Sequence, residues 1–121
     1  MSTLTLYDVE GLFKATDSLD ADAYGSFMAD DATVTFANND PVVGRPAIVE
    51  FVGALFGSFA ALEHELLDVW TVDGRVIVRM QITFTLPDGR AIKLPAAAIS
   101  EVVDGLIVDH QVYINDGPLT S

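Results

Sequence analysis

Few side chains in this sequence could do chemistry, and four of them stand out: His64, Arg79, Gln81 and His110. Histidine has an unperturbed pKa near 6.5, so His64 or His110 could act as general acid or base near neutral pH. Arg79 could hold a carboxylate or an enolate oxygen, and Gln81 could supply a neutral hydrogen bond. A histidine among apolar neighbours can equally be a hydrogen-bonded core residue, so both readings stand for each imidazole. With two histidines and no third ligand indicated, neither a metal nor a cofactor is expected.

These residues sit in strands whose side chains alternate between faces. Around Arg79, one face carries Val76, Val78, Met80, Ile82 and Phe84, and the other carries Ile77, Arg79, Gln81, Thr83 and Thr85. Periodicity alone puts the apolar face in a core and Arg79, Gln81 and Thr83 in water. The same parity groups Leu62, His64, Leu66 and Trp70 on one strand, and Val108, His110, Val112 and Ile114 on another.

The elements that must position them are legible. Asp73-Gly74, Asp88-Gly89 and Asp104-Gly105 separate four apolar, β-branched runs near 62–72, 75–86, 90–103 and 106–115. Asp-Gly suits tight hairpins because type I′ turns need positive φ at both central residues, so the second half reads as an antiparallel meander. Pro95 should sit at a bulge or where its missing donor is harmless. Thr5 with Asp8 resembles a capping box for a helix running to about Thr16. A second helix starts near Asp20, buries Tyr24, Phe27 and Met28, and ends at Asp30-Asp31. A strand follows at Ala32–Phe36, with Val42 and Val43 in a short strand. Gly44-Arg45-Pro46 opens a third helix with Ile48, Phe51, Val52 and Leu55 on one face. Helices followed by a meander predict an α+β architecture in one domain spanning 1–121.

Eighteen acidic against six basic side chains give a net charge of −12, which opposes binding to nucleic acid or anionic lipid. The chain has no cysteine, no membrane-length apolar run and no signal-peptide pattern at its start, so a cytoplasmic location is expected.

The element order, together with ADDATV at 29–34, GRPAIVEF at 44–51 and GLIVDHQVYIND at 105–116, resembles the nuclear transport factor 2-like (NTF2-like) superfamily, and within it the SnoaL-like and ketosteroid-isomerase-like proteins. The resemblance implies a cone of three N-terminal helices packed on a strongly bent, mainly antiparallel sheet that encloses an apolar pocket. It reverses the face assignment: Arg79, Gln81 and Thr83 would point into the pocket with His64 and His110. The implied catalytic set is His64, His110 and Arg79, with Gln81, Thr83, Phe36, Trp70, Val112, Ile114, Phe13 and Phe51 against the ligand. Val78, Met80, Ile82 and Phe84 would then face outward and join a homodimer.

The catalytic sets of the relatives are missing. Phe36 falls where the steroid isomerases carry their base, Ala98 where they carry a protonated acid, and Leu12, Phe13 or Thr16 where they carry a tyrosine. Against the limonene-type epoxide hydrolases, Arg79 remains, while Gln81 and Val112 replace aspartates. The implied function is a small-molecule pocket acting by histidine proton transfer on a carbonyl- or carboxylate-bearing ligand, as an isomerase, cyclase or dehydratase. The alternative is a non-catalytic ligand-binding or dimerisation domain.

Overall fold

The computed structural model describes residues 6–119. Asp8 starts helix α1 (Val9–Asp17), its carboxylate accepting from Gly11 N at 3.0 Å, and so satisfies one of the helix's orphan donors. Thr5, the other half of the expected capping box, lies outside the described residues. Asp20 caps α2 (Ala21–Gly25) in the same way, through Ala23 N at 3.0 Å. Helix α3 (Arg45–Gly57) follows Gly44, whose φ of 94° needs glycine, and carries Pro46 in its first turn. Arg45 donates to the Met28 carbonyl at 3.1 and 2.8 Å and pairs with Asp30 at 3.0 Å, which clips α3 to the first strand.

The strands are β1 (Met28–Phe36), β2 (Val42–Val43), β3 (Ala61–Val72), β4 (Arg75–Thr85), β5 (Ala91–Val103) and β6 (Leu106–Ile114), in the spatial order β2-β1-β6-β5-β4-β3. All neighbours are antiparallel except β1 and β6. The pair Asp30-Asp31, expected to end the second helix, lies inside β1 instead, because α2 stops at Gly25 and Met28 already belongs to the strand. Asp73-Gly74 and Asp104-Gly105 have positive φ at both residues, as two-residue hairpins require, whereas only Gly89 does so at Asp88-Gly89. There the turn is longer, with Gly89 N bonded to Leu86 O and Leu86 N to Arg90 O. Pro95 lies just outside the β5–β6 ladder, which begins at Ala96, so its missing donor costs no bond there.

One face of the sheet meets the helices. Leu12 and Phe13 of α1, and Ile48, Val52 and Phe56 of α3, join Val34, Leu62, Ala98 and Ile107 in one hydrophobic cluster. Val76, Val78, Met80, Ile82 and Phe84 belong to that cluster, so the pocket-facing role expected for Arg79, Gln81 and Thr83 is overturned. These three lie on the opposite face, where Arg79 pairs with Asp68. Burial decides the matter, since covering each large aliphatic or aromatic side chain is worth about 1.5–3 kcal/mol and the helices offer the cover. The proposed outward surface of Val78, Met80, Ile82 and Phe84 is therefore core.

Two register shifts correct the parity on neighbouring strands. Leu62, His64 and Leu66 stand opposite Phe84, Ile82 and Met80, but beyond the shift between Leu66 and Asp68, Trp70 stands opposite Ile77. A bulge reverses which residues share a face, so Trp70 turns to the outer side and is no ligand contact of the inner face. On β6 the shift between Glu101 and Val102 puts Ile107, not Val108, in the core.

Met80→Asp is accordingly expected to unfold the chain, because a carboxylate at a site 2% exposed costs more than about 4 kcal/mol. Urea denaturation checks this, and a folded variant with a midpoint near that of the unaltered protein would refute the core placement.

Candidate functional site

Helices and sheet leave a cavity of about 60 Å³ between them. Its walls are mostly hydrocarbon and aromatic rings: Leu12 and Phe13 from α1, Phe51, Val52, Leu55 and Phe56 from α3, and Val34, Phe36, Leu62, Met80, Ile82, Phe84 and Val112 from the sheet. Among the polar wall residues are Thr16, Tyr24, His64 and His110. Thr16 turns its hydroxyl back to Leu12 O at 3.0 Å. Phe36, Phe51, Leu55 and Phe59 also line an open groove that contains Asp88, Arg90 and Asp116.

His64 is held at two points by one carboxylate. Its backbone N–H donates to Asp17 Oδ2 at 3.0 Å, and its ring Nδ1 lies 2.5 Å from Asp17 Oδ1. The imidazole is nearly buried while Asp17 is one-third exposed, and Phe13 packs its ring 5.1 Å from the imidazole. A carboxylate acceptor at Nδ1 fixes the proton there and leaves Nε2 as the nitrogen with a free lone pair. Asp17 was absent from the sequence reading, although a signal for it exists. It is the last residue of α1, where a negative charge opposes the helix dipole and calls for a partner from elsewhere.

His110 sits deeper. Ser100 stands opposite it across the β5–β6 ladder, with Oγ 2.7 Å from Nδ1. Burial alone pushes the His110 pKa down to about 4, so the ring is uncharged at neutral pH. Tyr24 meets this ring edge-to-face at 6.3 Å, and burial, together with the neighbouring Tyr7, raises the Tyr24 pKa. Tyr7 is also raised by burial, an effect partly offset by the nearby Ser100 hydroxyl. No hydrogen bond of ordinary geometry joins those two hydroxyls, and Tyr7 Oη is a fully buried polar atom without a partner among the described residues.

The structure thus brings together His64, His110, Phe13, Phe36, Phe51 and Val112. Ile114 packs against the core outside the cavity wall. Arg79, Gln81, Thr83 and Trp70 lie on the other side of the sheet, so the expected catalytic arginine is not in the site. Sequence reasoning missed Asp17, Tyr24 as a wall residue, and the Tyr7–Ser100 pair, all of which depend on contacts between separate elements. Among the described residues no cluster of three metal-ligating side chains occurs, and no helix is long and apolar enough to cross a membrane.

His110 couples folding to pH. Its folded pKa lies below the unfolded value, so the unfolded chain binds the extra proton first, and stability present above pH 6.5 is lost as pH falls toward 4. The loss from this one group is about 3 kcal/mol. His110→Gln should flatten the stability–pH curve over that window in chemical denaturation. An unchanged slope would contradict the burial of a neutral imidazole.

The family model for the SnoaL-like domain matches residues 9–110. No curated protein matches the chain. Among solved structures, a candidate SnoaL-like polyketide cyclase from Jannaschia sp. CCS1 is 18% identical with a TM-score of 0.80, covering 99% of this chain and 94% of that one. An NTF2-like protein of unknown function from Burkholderia pseudomallei is 14% identical with a TM-score of 0.83 over 92% of this chain and 90% of that one. An LEH-like epoxide hydrolase from M. tuberculosis is 16% identical with a TM-score of 0.76, over 88% and 79%. At these identities the likeness is one of fold. The chain belongs to the SnoaL-like domain family, within the NTF2-like superfamily.

Proposed function

We propose that the cavity binds a small, uncharged, largely apolar molecule bearing a carbonyl, and that the Asp17–His64 pair moves a proton on it. The observation that carries this reading is the two-point grip of Asp17 on His64 in the wall of an otherwise apolar cavity. Asp17 holds the Nδ1–H tautomer and offsets the charge that forms when Nε2 takes a proton, as the carboxylate of a catalytic triad does for its histidine. Apolar walls exclude water and strengthen that electrostatic effect. Abstraction next to a carbonyl is the step shared by isomerisation, cyclisation and dehydration. With no arginine or lysine in the wall among the described residues, the neutral, carbonyl-bearing half of the expected carbonyl- or carboxylate-bearing ligand class is favoured. Polyketide cyclase and epoxide hydrolase are functions named for relatives of this fold, and they support a small-molecule reaction without specifying it.

A second reading, ligand binding without catalysis, is favoured by one observation: the cavity is small and its polar groups are few. Deuterium uptake separates the two. Cyclohexanone incubated with the protein in D₂O should exchange its α-hydrogens faster than in buffer, followed by nuclear magnetic resonance. Asp17→Asn, which favours the wrong tautomer, and His64→Ala should each lower that rate by about 10²–10⁴-fold. Exchange at the buffer rate with bound ketone would leave the binding module in place of the enzyme.

We also propose a homodimer, now through the outer sheet face. Trp70 and Tyr113 are 49% and 50% exposed there; Ile77 and Ile99 stand in register with Trp70, and Tyr113 pairs with Ala97 in the next row of that face. The ion pairs Arg79–Asp68 and Lys93–Glu65 lie on the same face. An apolar patch rimmed by charge suits a self-complementary contact. Ile77→Asp should give monomers of unchanged fold by light scattering and circular dichroism, and a monomeric unaltered protein would end this proposal.

A further inference from the structure

His64 and His110 both reach the cavity, yet their partners differ in kind. Asp17 can only accept, so His64 must donate from Nδ1. Ser100 can donate or accept, so the proton position on His110 depends on what else the serine meets. Ser100 and His110 are 1% and 2% exposed. The neighbouring polar group is Tyr7, whose buried hydroxyl lacks a partner among the described residues.

Two directions of proton order are available. If His110 Nδ1 donated to Ser100, the serine proton would turn to Tyr7, and the phenol proton would end with no acceptor. If Tyr7 points its proton toward Ser100 Oγ, the serine donates to Nδ1, and the last proton sits on Nε2. No second partner holds the His110 ring among the described residues, and its ring forms part of the cavity wall. In the second order the final N–H faces the cavity, where a ligand oxygen can accept from it, whereas in the first the phenol proton stays inside the protein with no acceptor. Buried polar groups favour the arrangement that satisfies most of them.

We propose that His110 is a fixed hydrogen-bond donor to the cavity through Nε2–H, that Ser100 is the residue that positions its proton, and that the ligand group it meets is an uncharged oxygen acceptor. This rests on the reading of the cavity as a ligand site. The two imidazoles then present opposite characters: His64 offers a lone pair that can take a proton, and His110 offers an N–H that can hold a carbonyl oxygen. A ligand with an acceptor oxygen beside an acidic C–H fits both. Tyr24 flanks the same ring with its own buried phenol, Tyr7 lies beside Ser100, and burial raises the pKa of both phenols.

Long-range ¹H–¹⁵N correlation spectra of the ligand-free protein at pH 7 test the assignment directly, with His64→Gln separating the two imidazoles. His110 should show an unprotonated Nδ1 and a protonated Nε2. In Ser100→Ala the ring should become a mixture of tautomers, whereas Ser100→Thr should keep the fixed form. If Ser100→Ala does not fold, Tyr7→Phe serves in its place and should likewise lower the Nε2–H population. A protonated Nδ1 in the unaltered protein, or the same fixed tautomer in Ser100→Ala, would overturn the proposal. Cyclohexanone should shift the Nε2–H resonance and methylcyclohexane should leave it unmoved. Equal responses to the two, or none to the ketone at its solubility limit, would overturn the acceptor assignment. If the tautomer and the ketone selectivity hold while α-hydrogen exchange stays at the buffer rate, the catalytic reading alone has failed.

Discussion

The row of apolar side chains along β4 has to be covered, and its cover creates the cavity. Val76, Val78, Met80, Ile82 and Phe84 present one continuous stripe, and helices α1 and α3 bring the complementary surface. Each covered side chain contributes about 1.5–3 kcal/mol, so no arrangement that leaves the stripe in water competes unless another chain hides it. The ionic and hydroxyl side chains of the opposite face, Arg79 and Thr83 among them, go to solvent as a consequence. Arg79 then finds Asp68, in an exposed pair worth little to stability.

That partition sets the electrostatics of the site. The net charge of −12 is carried mainly on surfaces, whereas the cavity wall contains two histidines and no arginine or lysine. An apolar wall with a few fixed polar groups discriminates by position and by hydrogen-bond direction instead of by charge. Asp17 is the exception, a carboxylate that reaches a wall histidine. It lies at the edge, partly solvated, so that its charge can be sustained while it grips a nearly buried ring.

The same clamp ties the fold together. Asp17 ends α1 and His64 lies near the start of β3, so one carboxylate fixes where the first helix docks on the sheet. Arg45 performs a similar service at the other helix, linking the start of α3 to the Met28 carbonyl and Asp30 of β1. Between these two anchors lie α2, with Tyr24 on the cavity, and the cross-strand pair Ser100–His110.

Local signals determined a large part of this protein. Asp-Gly turns bounded the four long strands to within a residue or two, and Pro46 and Gly44 marked the third helix, whereas the inward placement of both histidines came from family likeness and not from a local signal. Alternation also divided β4 correctly into an apolar and a polar face, because side-chain parity is a property of the strand alone. What parity cannot state is which face meets the helices, and on that point family likeness pointed the wrong way while plain burial pointed the right one. Trp70 and Val108 were misplaced for a different reason: one extra residue in β3 and one in β6 invert every side chain beyond them, and a bulge forms through pairing with a neighbouring strand. Asp17, Tyr7 and Ser100 entered the site only through contacts between elements far apart in the chain, such as the 47 positions that separate Asp17 from His64. Sequence sets what each segment can become; the packing of segments against one another decides which side chains share a cavity, because those distances exist only in the folded chain.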